Sequence, residues 1–215
     1  VMETAHRVGF RTTATIMYGH IEQPRHWARH LLAVRELQAR TGGFTELVPL
    51  PFVHMEAPMF LRGRARRGPT FREAVLMHAV SRLVLHGHID NIQTSWVKMG
   101  AAGVDVCLNA GANDLGGTLM NESITRAAGA AHGQEWAPAV MEQRIRALGR
   151  QPRLRTTLYA DAPAERRAAA SAAADLLPVD NADAGKRARD KRLLLATDSP
   201  RPAPLEQVVL MAACN

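Results

Sequence analysis

Apolar and polar residues follow two kinds of pattern along the first 150 residues of this chain. Short apolar or β-branched runs predict buried strands, since four to eight such residues suit a strand covered on both faces. The predicted strands cover residues 12–18, 44–50, 89–94 and 104–108. Between the strands, apolar residues recur at helical spacing, as Trp27, Leu31 and Val34 do after Pro24. Alternating strands and helices predict an α/β protein with a parallel sheet.

The predicted helices begin and end at recognisable boundary residues. Thr70 and Glu73 form a capping-box pattern before one helix, and Gly149 follows another. The predicted helices cover residues 2–8, 24–41, 71–85, 96–101, 121–128 and 138–148. Four strand–helix units are half of an eight-stranded (β/α)₈ barrel, and a complete barrel takes about 250 residues. The sequence therefore predicts the C-terminal half of a TIM-type barrel over residues 1–158.

The composition changes after residue 158. Residues 159–215 are rich in alanine, arginine and proline, which is typical of a tail that is disordered or weakly helical. Two alternatives fit the same sequence: the apolar stretch at 205–213 forms a short docking helix, or the tail is not native to the protein. We expect this tail to lie outside the half-barrel.

Charge and cysteine content narrow the class of protein. The net charge of +7 is concentrated in two arginine-rich runs without interleaved aromatic residues, which favours a solvated surface over a nucleic-acid site. A basic module that binds anions or RNA remains the non-enzyme alternative. No apolar run is long enough to span a bilayer, and the N-terminal residues do not resemble a secretory signal. With only two cysteines and no metal-ligand spacing, we expect a cytoplasmic protein without a membrane partner or a metal site of its own.

The most informative stretch is GANDLGGTLMNESI, residues 111–124, after the predicted fourth strand. In a parallel α/β protein, ligands lie at the carboxyl ends of the strands, where glycines let the backbone approach them. Alternation along the third strand places Gln93 and Ser95 on one side, and His20 beside Glu22 is a candidate acid–base pair. The candidate substrate contacts are Tyr18, His20, His54, Gln93, Ser95, Asn109, Asn113, Asp114, Gly116, Gly117 and Thr118.

Four segments are informative when taken together: TIMYGHIE, HLLAVRELQARTGGFTELVPLPFVH, NIQTSWVKMG and LNAGANDLGGTLMNESITRAAGAAHGQ. They resemble the radical S-adenosylmethionine FO synthases, which make the deazaflavin precursor of coenzyme F-420. The resemblance covers residues 1–158 and is closest to the half that joins tyrosine to 5-amino-6-(D-ribitylamino)uracil. The radical enzymes of the futalosine pathway of menaquinone biosynthesis share part of the pattern and are the alternative branch.

The resemblance implies a cofactor and residues that contact it. TIMYGHIE is similar to the adenosine-contacting strand of radical S-adenosylmethionine enzymes, written G-x-I-x-G-x-x-E. Gly19 and Glu22 match this motif, whereas Thr15 replaces its first glycine and Met17 replaces its isoleucine. The resemblance implies that Met17, Gly19 and Glu22 contact the cofactor. In such enzymes a 4Fe-4S cluster reduces S-adenosylmethionine, and the radical formed attacks tyrosine. The cofactor performs the difficult chemistry while the protein binds and orients the reactants.

One departure from the family is decisive. The family's cluster is held by three cysteines spaced C-x₃-C-x₂-C, and this chain contains only Cys107 and Cys214. Cluster ligation in the family manner therefore needs residues outside this chain. We expect the chain to be a fragment, inactive alone, whose partner is the missing N-terminal half or a fused synthase domain.

Overall fold

The computed structural model describes residues 1–119 and 121–174. These residues form two strands and eight helices, interleaved along the chain. The strands are β1 (Thr12–Tyr18) and β2 (Phe44–Pro51). The helices are α1 (Met2–Arg7), α2 (Pro24–Thr41), α3 (Pro58–Leu61), α4 (Phe71–Leu85), α5 (Trp96–Asn109), α6 (Ile124–Ala127), α7 (Pro138–Ala147) and α8 (Ala164–Ala172). Among the described helices, none combines the length and the apolar character needed to cross a membrane.

Strands β1 and β2 pair in parallel, as the sequence predicts for neighbouring strand–helix units. Two single parallel bridges continue the order of the sheet, one from Leu47 to Ile92 and one from Gln93 to Asp114. The N–H of Gln93 donates to the Leu47 carbonyl at 2.9 Å, and the N–H of Thr94 donates to the Asp114 carbonyl at 2.8 Å. Residues 91–93 therefore lie beside β2, and residues 113–115 lie beside residues 91–93. We call them the third and fourth parallel segments.

The predicted fourth strand at 104–108 is wrong, because these residues belong to α5. Val104, Cys107 and Leu108 are buried at the spacing of one helix face, and Asp105 lies at an intervening position. A short apolar run in which every residue type also suits a strand does not distinguish the two structures. The position of the fourth segment is taken by residues 113–115, which follow α5.

The third predicted strand, at 89–94, is wrong as a regular strand. Only single bridges form at Ile92 and Gln93, although Ile89 and Ile92 are fully buried, as a central strand would bury them. The side-chain amide of Asn91 donates to the Thr45 carbonyl at 2.9 Å, which is a side-chain link to β2. Thr94 and Ser95 then lead directly into α5.

Helix boundaries agree better with the sequence. The α4 boundaries are confirmed, and Thr70 accepts the N–H of Glu73 at 3.2 Å while the Glu73 carboxylate accepts the N–H of Thr70. Helix α5 continues eight residues beyond the predicted end at 101, with non-helical backbone at Gly100. The helix predicted at 121–128 is reduced to the single turn α6. The tail predicted from 159 onward contains α8, and residues 175–215, including Cys214 and the stretch 205–213, lie outside the described residues.

The faces of β1 differ in what covers them. Ala14, Ile16 and Tyr18 are buried against the helix layer, in a core shared with α2 and α4. A second core forms where α5 and α7 pack together around Trp96, Val104 and Met141. On the other face of β1, Thr13, Thr15 and Met17 are exposed. We call this side of the sheet the open face.

Candidate functional site

The register of the parallel segments defines the open face. Alternate residues of a strand point to the same side, and paired residues of neighbouring strands share a side. Thr13, Thr15 and Met17 pair with Glu46, Val48 and Leu50, and Gln93 pairs with Asp114. The open face therefore contains polar and thioether side chains from all four parallel segments. Met17 is 53% exposed there.

A tight turn at the end of β1 is organised by Glu22. Its carboxylate accepts the backbone N–H groups of Gly19, His20 (3.1 Å) and Ile21 (3.0 Å), and the indole Nε1–H of Trp27 (2.7 Å). Burial alone would raise the pKa of Glu22, but these hydrogen bonds outweigh it and lower the pKa to about 2. Glu22 is thus an anion that shapes the turn, and its oxygen atoms are already engaged by the protein.

Gly19 is required in this turn by its backbone and by its surroundings. Its φ is +94°, and a Cβ atom there would lie 2.2 Å from Pro69 Cδ. No L side chain fits between the turn and Pro69 without moving the backbone. The chain consequently passes close to the end of β1, and Met17 is left uncovered on the open face.

The two candidate histidines lie in the loops that follow β1 and β2. His20 Nδ1 lies 3.0 Å from Glu22 Oε2, and the His20 ring meets the Phe52 ring edge-on at 5.7 Å. The His54 ring contacts the Phe60 ring edge-on at 4.7 Å. His20 and Glu22 are therefore adjacent, but His20 Nδ1 accepts the N–H of Ile21 at 2.8 Å, so their role as an acid–base pair stays a prediction. Each histidine therefore lies just beyond the carboxyl end of a strand, against an aromatic ring.

The third and fourth parallel segments bring several candidate residues together. The side-chain amide of Gln93 lies so close to Gly116 that a Cβ atom there would be 2.5 Å from Nε2. Asp114 Oδ1 accepts the N–H of Gly116 at 2.5 Å, and the Gly117 carbonyl accepts the Nε1–H of Trp96 at 3.0 Å. Ser95 is buried at the start of α5. Gln93, Ser95, Asp114 and the glycine pair thus form one continuous group.

Two candidate residues, Tyr18 and Asn109, are placed elsewhere, and a third, Asn113, has a structural role. Tyr18 is fully buried on the helix side, where its ring meets Trp27 edge-on at 5.5 Å and burial raises the pKa of its hydroxyl. Asn109 is exposed at the C-terminal end of α5, because the strand predicted before it is a helix. Asn113 Oδ1 accepts the Ile92 N–H and an Arg82 N–H, each at 2.8 Å, which gives it a structural role.

The open face contains a charge cluster that the sequence does not predict. Arg155 donates to Asp114 and, at 3.3 Å, to Glu46, and the Tyr159 hydroxyl also donates to Glu46. The Arg155 guanidinium lies over the Tyr159 ring, 4.0 Å from its centre. Burial would lower the pKa of Arg155, but the hydrogen bond and charge of Asp114 raise it. The side chains of Arg155 and Tyr159 therefore contact the sheet, although the composition placed Tyr159 in the tail.

A cavity of about 430 Å³ lies beside the fourth parallel segment. Its walls are the Asp114–Thr118 loop, residues of α7 such as Met141, and the stretch from Arg150 to Tyr159. Five residues predicted as ligand contacts line it: Asn113, Asp114, Gly116, Gly117 and Thr118. The volume is within the range of small-molecule pockets.

A long loop covers the carboxyl ends of the third and fourth segments. The N–H of Trp136 donates to the Thr118 carbonyl at 3.4 Å, and the N–H of Glu122 donates to the Gln134 carbonyl at 2.9 Å, so the loop closes on itself. The Trp136 ring stacks on Trp96 at 5.3 Å. We call residues 118–119 and 121–136 the covering loop. Its Ala128 carbonyl also accepts the N–H of Glu56, which follows β2.

The described residues contain no cluster of three His, Cys, Asp or Glu side chains that could hold a metal ion. Cys107 is fully buried in α5, and burial raises the pKa of its thiol to about 11. Neither observation fits a site for an iron–sulfur cluster, whose ligands are thiolates.

Comparison with known proteins identifies the family of this chain. The model of the family described as the CofH/MqnC C-terminal region matches residues 41–167, which include β2, both later segments and the covering loop. FO synthase of Nocardia farcinica is 55% identical over 159 residues, which are 74% of this chain and 18% of that protein. FO synthase of Streptomyces coelicolor is 52% identical over 170 residues, 79% of this chain and 20% of that protein.

A third relative is shorter. The 5-amino-6-(D-ribitylamino)uracil–L-tyrosine 4-hydroxyphenyl transferase of Methanocaldococcus jannaschii is 49% identical over 159 residues, 74% of this chain and 44% of that protein. The chain therefore spans about a fifth of the length of the two FO synthases and less than half of the length of the transferase. Because the family match covers more than half of the chain, the chain belongs to the CofH/MqnC C-terminal region family.

Proposed function

We propose that this chain supplies the substrate-side half of a (β/α)₈ barrel that transfers the 4-hydroxyphenyl-bearing fragment of tyrosine to 5-amino-6-(D-ribitylamino)uracil. The observation that carries the proposal is the 49–55% identity to proteins named for this reaction or for FO synthesis. The parallel order of β1, β2 and the two later segments supports a half-barrel. The open face is then part of the barrel interior.

The chain's own residues divide into two tasks in this proposal. Met17 on the open face and the Gly19 turn fit the flat adenine of S-adenosylmethionine, which in this class of enzyme is the source of a deoxyadenosyl radical. Glu22 keeps the turn in place through its backbone contacts. Gln93, Ser95, Asp114 and the Gly116–Gly117 backbone offer hydrogen-bonding groups for the polar uracil and tyrosine substrates.

The cysteines of this chain do not fit the 4Fe-4S cluster. Cys107 is buried in the helix layer, and the sequence contains one other cysteine, so three thiolate ligands are not available. The cluster in this proposal is held by another part of a longer protein or by a separate chain. The present residues bind and orient substrates and exclude water.

A chimera tests the proposal directly. The chain replaces the matching region of the Methanocaldococcus transferase, and the product formed from tyrosine and the aminouracil is measured by mass spectrometry. We expect product from the chimera and none from the 215-residue chain alone. A folded chimera that consumes no tyrosine would overturn the proposal, and turnover by the chain alone would overturn the assignment of the cluster to another part.

The futalosine branch is the second candidate, because the family description includes MqnC. The relatives above are named for FO synthesis or the tyrosine transfer, which favours the deazaflavin branch. Supplying the chimera with a futalosine-derived substrate in place of the aminouracil distinguishes the two branches.

A further inference from the structure

Lys98 stands out by residue type and by position. Only three of the 27 basic side chains in the chain are lysines, and the other two, Lys186 and Lys191, lie outside the described residues. Lys98 is half-buried in the first turn of α5, directly after the third parallel segment. It therefore lies at the carboxyl end of that segment, where ligands bind in parallel α/β proteins.

Glu122 lies on the covering loop, after the fourth parallel segment. Its Oε1 accepts the N–H of Thr125 at 2.9 Å, whereas its Oε2 is buried and has no hydrogen-bond partner among the described residues. A buried carboxylate oxygen without a partner is costly, so a missing donor is expected there. The hydrogen bond from Trp96 to Gly117 ties the start of α5 to the beginning of this loop.

The two charges attract each other without direct contact. Burial lowers the pKa of Lys98, and the charge of Glu122 opposes that lowering. Within the described part of the chain, however, the Lys98 ammonium makes neither an ion pair nor a hydrogen bond. A half-buried cation and a half-buried anion held apart in this way are complementary to a ligand that carries both charges.

We propose that Lys98 and Glu122 bind the head group of an α-amino acid. The Lys98 ammonium binds the α-carboxylate of the ligand, and Glu122 Oε2 accepts a hydrogen bond from its α-ammonium. This inference rests on the proposed function, which supplies two candidate ligands with such a head group: the tyrosine substrate and the methionine part of S-adenosylmethionine. The aminouracil lacks this head group and is not a ligand of the pair.

Calorimetric titration of the 215-residue chain with ligand analogues tests the pair without any iron–sulfur cluster. The ligands are L-tyrosine, tyramine, which lacks the carboxylate, 3-(4-hydroxyphenyl)propionate, which lacks the ammonium, and S-adenosylmethionine. The variants are Lys98→Met and Glu122→Gln. Gln keeps an acceptor for the Thr125 N–H, so the covering loop retains that contact.

We expect each variant to bind L-tyrosine about tenfold more weakly, the effect of losing one charge-assisted hydrogen bond. Lys98→Met should leave tyramine binding unchanged, and Glu122→Gln should leave hydroxyphenylpropionate binding unchanged, because each analogue lacks the group that the variant no longer recognises. A general loss of folding would weaken all ligands alike. If S-adenosylmethionine shows the losses and tyrosine does not, the head group bound is that of the cofactor.

Glu3→Gln and Arg7→Met are matched controls, since they change the exposed ion pair of α1, whose atoms are 2.7 Å apart. Undiminished binding of both tyrosine and S-adenosylmethionine by Lys98→Met and Glu122→Gln would overturn the inference. So would the absence of binding to the unmodified chain. If the chimera forms product but the Lys98 and Glu122 variants bind the ligands undiminished, the proposed function stands and the head-group site does not. If the chimera is inactive but the variants bind L-tyrosine more weakly, the head-group site stands and the proposed function does not.

Discussion

Arg155 donates a hydrogen bond to the carboxylate of Asp114, although 41 residues separate them in the chain. The same guanidinium reaches Glu46 of β2, so one cation balances two carboxylates. The Asp114 side chain is 6% exposed and that of Glu46 is 12% exposed. The segment that carries Arg155 is therefore fixed to the open face by charge as well as by the Tyr159 hydroxyl.

Replacing Arg155 by Met should destabilise the chain by about 3 kcal/mol, because two buried carboxylates lose their counter-charge. Urea denaturation at pH 7 measures the change. Arg153→Met is the control, since Arg153 and Asp161 are 61% and 71% exposed and their pair contributes less than about 1 kcal/mol. Equal losses in the two variants would contradict the assigned role of Arg155.

The hydrogen bonds to Glu22 predict a specific acid sensitivity. Its pKa is lowered from 4.5 to about 2 in the folded chain, so the unfolded state binds the proton more readily. The stabilisation is complete above pH 4.5 and is lost as the pH falls toward 2, with a total of about 3 kcal/mol. Glu22→Gln should remove this part of the acid dependence in denaturant titrations between pH 5 and 2. Glu36→Gln, in an exposed i,i+4 pair of α2, should retain it.

The Gly19 turn predicts a difference between two glycine substitutions. Gly9 and Gly19 both have positive φ, at +97° and +94°, but only Gly19 lacks space for a Cβ atom. Gly9→Ala should cost about 1 kcal/mol through backbone strain, and Gly19→Ala should cost at least twice that, because Pro69 must also move. Thermal unfolding compares them. Similar melting temperatures would show that the turn relaxes around the added methyl group.

The Cys107 thiol should be unreactive in the folded chain. It is fully buried, and burial raises its pKa to about 11, so little thiolate exists at pH 8. In a Cys214→Ser variant, a disulfide reagent should detect no fast-reacting thiol in the native chain. It should detect one such thiol, that of Cys107, once urea is added. Rapid reaction of the native variant would mean that α5 opens readily.

The sequence predicted α1, α2, α4 and α7 to within one residue at each end, for identifiable reasons. Thr70 and Glu73 form reciprocal capping contacts, and Gly42 ends α2 with φ of +61°, so local chemistry marks both boundaries. The sequence could not show that residues 104–108 are helical, because Val104, Cys107 and Leu108 suit either a strand or a helix face. What decides between them is packing against α7, including the Arg144–Asp105 ion pair at 2.6 Å.

The candidate site was predictable where strand order determines position. Gln93, Ser95, Asp114 and Gly116 follow neighbouring parallel segments, and their convergence follows from topology. Arg155 and Tyr159 belong to no motif, and their partners lie about a hundred residues away in β2, so only the folded chain shows them. Tyr18 was misplaced because alternation along β1 turns it to the helix side.

Strand β1 pairs with β2 along one side only, as far as residues 1–119 and 121–174 show. A strand with a free side presents a row of N–H and C=O groups that other extended segments can join. The purified chain should consequently self-associate as its concentration rises, and light scattering should reveal growing particles. Placing lysine or proline at Thr13, next to this row, is a practical way to keep preparations monodisperse for the titrations described above.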